Sequence, residues 1–158
     1  ALFLTMMIRH EHALADLYHV MAEKLPKTKT FWQHIAAEEI RHAELLQNLA
    51  EEVKLGLSAL APGRLGCGTV KTSLDFIEPK TRSWANWGVT AERAFDVALY
   101  LEGSVLEHQV LMPVDGDSCF AVSVLNAVQR HTRAHVSRLR EAAEKYKQSW
   151  FRRLFSRH

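Results

Sequence analysis

Cysteine is scarce in this sequence: Cys67 and Cys119 are the only two, far apart and outside any Cys-x-x-Cys pattern. That excludes a four-thiolate zinc or iron knuckle within the chain. Reduced thiols in a cytoplasmic protein are the plainer expectation, a single disulfide the lesser one. No apolar run approaches the roughly 20 residues that a membrane span needs. The opening "ALFLTMMIRHEH" is apolar but brief. It lacks a basic leader and a small-residue cleavage pattern, and it reads as the first turns of a helix rather than a signal peptide. Nothing reads as a strand. Acids are scarce at one end. Residues 130–158 hold nine of the 20 Lys and Arg but only Glu141 and Glu144, so this segment is +7 and the remainder −5. The bland reading of that charge is a solvated helix face.

What remains is ordinary for one globular domain: 47% hydrophobic and 24% charged residues, in a chain long enough for a substantial core. Four segments carry a helical period, which makes the expected fold class all-α. The first spans about Leu2 to Leu25, with the stripe Leu4, Ile8, Glu11, Ala15, Tyr18 and Ala22, and Pro26 interrupts it. The second spans about Thr30 to Leu55, with Ile35, Glu39, His42, Leu46, Leu49 and Val53, and Gly56 is a fitting stop. The third follows an N-cap at Thr90, carries Phe95, Leu99, Glu102, Leu106 and Gln109, and is ended by Pro113. The fourth opens near Asp117 or Ser118 and runs to about Tyr146 through Leu125, Val128, Thr132, His135 and Leu139.

Short links join the first pair of helices and the second pair, so each pair is expected to be antiparallel. More than 30 residues, from about Gly56 to Val89, separate the pairs. A crossover that long fits a chain travelling the length of the fold so that helices two and three run parallel. "SLDFI", Trp84 and Trp87 are expected to pack along the way. The halves echo each other: Glu11 precedes His42 by 31 residues and Glu102 precedes His135 by 33, as in a helix hairpin used twice.

Each stripe carries ionisable groups where apolar residues belong: Glu11, then Glu39 with His42, then Glu102, then His135. A buried carboxylate is costly unless it is paired, protonated or bound to a metal. Three inward glutamates and two inward histidines neutralise one another only in part, and divalent metal would compensate the rest. Glu and His at i and i+3 share a helix face and can reach one ion. Carboxylate with imidazole suits iron or manganese, with zinc as a rival. A lone Glu-x-x-His is weak; four contributing stripes in matching connectivity are much stronger.

Glu11 followed by Tyr18, then "FWQHIAAEEIRHAELLQNL", resembles the ferritin-like superfamily, specifically rubrerythrin-type domains. "ERAFDVALYLEG" is similar to that family's third helix and "HVSRLREA" to its fourth. The resemblance covers all four helices and implies a ferritin-like four-helix bundle over residues 1–148, two antiparallel hairpins joined by a long crossover. It implies a di-iron site: Glu11 terminal on one iron, Glu39 bridging both, His42 completing the first, and Glu102 and His135 serving the second. Tyr18 would lie near the site, with a packing tyrosine as the equal alternative. The family's second bridging glutamate is Thr132 here, so the second position is expected to be weak or empty. His131 sits at the edge as a substitute. Glu107 and His108 are expected on the surface, as is Glu38. The family's rubredoxin-like part is absent, so a redox cycle needs an external electron donor.

Residues 149–158 form a basic, aromatic tail. A helix extension packing on the crossover or on a second subunit is the first reading. A membrane-surface or partner-binding helix is the second, and nucleic acid the last, since no recognition motif accompanies the charge. A homodimer is the expected assembly. Three functions stand open: an oxidoreductase reducing peroxide or oxygen; a protein holding one iron, zinc or manganese at Glu11, Glu39 and His42 without redox turnover; and an interaction scaffold with a decayed site.

Overall fold

The computed structural model describes residues 2–62 and 66–156. Five α-helices account for most of them, with no strand among the described residues. They are α1 (Leu2–Lys24), α2 (Lys29–Lys54), α3 (Cys67–Trp87), α4 (Ala91–Glu107) and α5 (Cys119–Phe155). A single 3₁₀ turn, Pro26–Thr28, links α1 to α2. No described helix is long and apolar enough to cross a membrane.

The helix starts follow from side-chain chemistry. Thr90 accepts a hydrogen bond from the Arg93 N–H and Ser118 accepts one from the Ala121 N–H, each satisfying a backbone donor that the first turn leaves free. At the junction of α3 and α4, Gly88 takes a positive φ of 78° and donates to the Trp84 carbonyl. A side chain there would strain the turn.

α1 packs on α2 and on α3, α4 on α5, and α2 on α5, an arrangement compatible with a four-helix bundle plus one helix laid on α1. Phe31 and Trp32, early in α2, meet Phe95, early in α4. Those two helices therefore start at the same end, and the crossover does run their length. Tyr18 from α1 and Tyr146 from α5 join this cluster and close that end of the core. At the opposite end, Asp117 accepts from the N–H groups of Ala61 and Val114, tying the crossover to the link between α4 and α5.

The structure corrects several expectations. The crossover is not only a connection. Its second part is a 21-residue helix, α3, which buries Val70, Leu74, Ile77 and Trp84. Trp87 does not pack along the core and is 87% exposed, because α3 has already reached its end there. The third stripe also ends early. α4 stops at Glu107, well before Pro113, and Gln109 lies beyond it in an exposed turn with φ of 50°. Its buried line runs through Ala94, Ala98, Leu101, Glu102 and Val105, with Leu99 and Leu106 at the margin. The helix extension that was the first reading of the tail is present: α5 passes through residue 149 without a break as far as Phe155, while residues 157 and 158 lie outside the described part.

Candidate metal centre

Four helices each turn a polar side chain into the middle of the core. Glu11 comes from α1, Glu39 and His42 from α2, Glu102 from α4 and His135 from α5, and all five are buried. Within each helix these residues fall on the line of apolar residues that faces the core, so folding carries them inside. The i, i+3 spacing of Glu39 and His42 sets both on one face of α2.

The geometry has an internal symmetry centred on Glu39. Its Oε2 lies 2.9 Å from His42 Nδ1, and its Oε1 lies 2.7 Å from His135 Nδ1. Each histidine also faces a glutamate from the helix paired with its own. His42 Nδ1 is 3.4 Å from Glu11 Oε2, and His135 Nδ1 is 3.6 Å from Glu102 Oε1. The result is two half-sites, each of one imidazole, one terminal carboxylate and one oxygen of a shared carboxylate. Across the two, atoms of Glu39, His42 and His135 all fall within 4.8 Å of one another, a group that could hold a metal ion and that does not include Glu11 or Glu102.

Two observations fit these residues to metal. Glu39 Oε1 and His135 Nδ1 are both buried without a hydrogen bond, although they face each other. Orphaned polar atoms are costly in a core, and a metal held by both would relieve them. The buried charges are also ones that a cation could balance in place of protons. Burial, and next the nearby charge of Glu102, push the Glu39 carboxyl up to about 8. Burial works against charge on both histidines, yet the facing carboxylates prevail. Glu11 and Glu39 raise His42 to about 9, and Glu102 and Glu39 raise His135 to about 11. Without metal, protons do the neutralising. Glu11 is the exception: the neighbouring imidazoles of His10 and His42 overcome its burial and hold it well below the usual carboxylate range.

Thr132 occupies the matching place on α5. It is buried, and its hydroxyl donates to the Val128 carbonyl of its own helix at 3.0 Å, so it offers no second bridge. Tyr18 donates from its hydroxyl to Glu102 Oε1 at 2.7 Å. Burial and the Glu102 charge push its phenol well above the ordinary value, so that proton stays on the tyrosine.

The outer edges of the two histidines are held differently. His135 Nε2 lies 2.6 Å from Glu38 Oε2, and Arg138 grips the same carboxylate through both guanidinium nitrogens. Burial works against the charge on Glu38, but the Arg138 hydrogen bond prevails and lowers its pKa. An acceptor at Nε2 keeps the ring proton there and leaves Nδ1 free for a metal. Glu38 is therefore no idle surface residue, contrary to the sequence expectation. It sits half-buried at the α2–α5 seam, where α5 approaches closely enough to engage it. On the other side, His131 Nδ1 lies 3.2 Å from His42 Nε2. His131 thus stands behind His42 rather than replacing Glu at position 132. Burial and the charge of His42 lower its pKa, which suits a neutral acceptor. Glu107 and His108 are exposed.

Sequence reasoning missed two further contacts. His10, fully buried, directs Nε2 to the Ser73 hydroxyl at 2.8 Å and Nδ1 toward Glu11 Oε1 at 3.5 Å. Glu11 on α1 is thereby steadied from α3. The signal available was the second buried line on α1, which runs through Phe3, Met7, His10, Leu14, Leu17 and Met21 and calls for another packing partner. The other was the Glu38–Arg138 contact. From solvent, a groove of about 620 Å³ between α2 and α5 reaches the histidine edges, lined among others by Glu38, Arg41, His131 and Arg138. No family model, no curated protein and no solved structure matches the chain.

Proposed function

We propose that this chain is a ferritin-like, rubrerythrin-type di-iron protein that reduces peroxide or oxygen with electrons from an external donor. The single observation that carries the reading is Glu39, one oxygen facing His42 and the other facing His135, with Glu11 and Glu102 flanking symmetrically. Two metals sharing one carboxylate account for that arrangement and for its orphaned atoms. Glu11, Glu39 and His42 would hold one iron; Glu102, His135 and the second oxygen of Glu39 would hold the other. Bound iron supplies the two electrons that cleaving an O–O bond takes, replenished by the donor.

The chain's own residues supply orientation and protons. Glu38 and Arg138 lock the His135 ring, and His131 fixes the His42 ring from the groove. Tyr18 holds its proton against Glu102 Oε1, which keeps that carboxylate turned. Reduction of a peroxide to two waters consumes two protons with the two electrons, and the groove beside half-buried Glu38 is the route by which solvent protons arrive. Trp32, Phe95 and Tyr18 exclude water from the end of the core where α2 and α4 start.

A second reading has one specific support: the tightest ligand group is Glu39, His42 and His135, which suits a single ion, and Thr132 removes one bridge. The two readings separate on His135→Ala. Protein loaded anaerobically with ferrous iron should carry about two irons per chain and turn over peroxide with a reduced donor. His135→Ala should then keep about one iron. A single-ion site would instead carry one iron and lose it altogether in the variant. A wild-type protein that takes up no metal returns the chain to an interaction scaffold.

A further inference from the structure

The two half-sites match in their inner donors but not in what stands behind them. Glu38 Oε2 lies 2.6 Å from His135 Nε2. Arg138 holds that carboxylate through both guanidinium nitrogens, and Arg41 lies 3.8 Å from its other oxygen. A carboxylate only accepts, so it fixes the N–H of His135 at Nε2 and leaves the Nδ1 lone pair turned to the core. The partner of His42 is a second imidazole, His131, exposed in the groove with its Nδ1 3.2 Å from His42 Nε2. An imidazole nitrogen accepts in one tautomer and donates in the other. In the second case the His42 proton sits on Nδ1, where an ion has to bind.

The inner edges differ in the same sense. His42 Nδ1 is hydrogen-bonded to Glu39 Oε2 at 2.9 Å, and an ion entering there displaces that bond. His135 Nδ1 and Glu39 Oε1 are both orphaned, and an ion held by both relieves them without such a loss. Another orphaned nitrogen, His10 Nδ1, lies behind Glu11 and belongs to neither half-site. The terminal carboxylates follow the same order: Glu102 accepts the Tyr18 hydroxyl at 2.7 Å, while Glu11 faces His10 at 3.5 Å. Thr132 does not rank the half-sites, since the bridge it lacks would serve both.

We infer that the two half-sites are unequal: the one formed by Glu102 and His135 takes its ion first and holds it more tightly, with Glu38 and Arg138 as the positioning residues that set the order. The ion at Glu11 and His42 is then the exchangeable one. This reverses the order expected from Thr132 in the sequence. The inference rests on the two-metal reading proposed above and adds to it which ion stays.

The test is a titration of the metal-free protein with cobalt(II), followed by calorimetry and by the visible absorption of the bound ion. Two steps should appear, the first tighter than the second by about tenfold or more. His135→Ala should remove the tight step and His42→Ala the weak one. Glu38→Gln should weaken the tight step by about tenfold and leave the weak step unchanged. A merely structural contact would shift both steps together or neither. Anomalous diffraction from crystals holding less than one cobalt per chain reads the order without any variant, and the peak should lie against Glu102 and His135. Two ions of equal affinity, a first peak against Glu11 and His42, or a Glu38→Gln titration that shifts both steps or neither overturns the inference and leaves the two-metal reading standing. A protein that binds one ion or none overturns both.

Discussion

Thr132 is the residue at which the symmetry of the site breaks. Every other ligand position has a counterpart across Glu39, but the hydroxyl here is turned back onto its own helix. Restoring a carboxylate should therefore act in opposite directions with and without metal. In the metal-free protein, Thr132→Glu adds a fourth carboxyl to a core that already protonates Glu39, and it should cost roughly 2–5 kcal/mol. With ferrous or manganous ion present, the loss should be recovered, because the added group becomes a bridge. Thermal melts of both proteins with and without metal check this; a variant whose melting ignores metal would count against a two-ion site. The burial of Glu11, Glu39, His42, Glu102 and His135 was open to inference from sequence because each stands on an apolar stripe, where a charge is conspicuous. Glu38 and Arg138 were not. Their contact depends on how α2 and α5 are rotated and spaced, which the periodicity of neither helix records.

At the scale of elements, α3 was the hidden one. Its buried line, Val70, Leu74, Ile77 and Trp84 with Thr81 between, keeps helical spacing. Gly68, the internal Pro79 and many polar residues make the segment look like a linker. The helix survives Pro79 because its other face lies on α1 and burial outweighs one lost backbone bond. Ile77 is fully buried in that contact, so Ile77→Ala should destabilise by about 2–5 kcal/mol in urea unfolding. Ser73 tests a different property of the same helix. Through His10 it steadies Glu11, so Ser73→Ala should cost about 1–3 kcal/mol of stability, by leaving a buried imidazole nitrogen unpaired, and weaken metal affinity by about tenfold in a competition titration. Unchanged affinity would make His10 and Ser73 a packing contact only.

For the whole molecule, the protons in the core tie stability to pH. His42 and His135 titrate at about 9 and about 11 in the metal-free fold, against an ordinary 6.5. The folded state therefore holds more protons than the unfolded chain above 6.5. Their stabilisation is complete below that value and is lost as pH rises through 9 and 11. Glu39, raised from 4.5 to about 8, has the same sign between those values. Metal-free protein should thus melt at progressively lower temperature from about pH 6 to about pH 9. Metal binding displaces the same protons, so the gain in melting temperature on adding metal should grow over that interval. A metal-induced gain that shrinks with pH would show that the ligands are not these histidines.

The central claim, two metals sharing Glu39, is tested most directly by anomalous diffraction at the iron edge from crystals grown anaerobically with ferrous iron. Two peaks should appear inside the helical core, one against Glu11 and His42, the other against Glu102 and His135, with Glu39 reaching both. A core without any peak, or iron bound only at the surface, would contradict it.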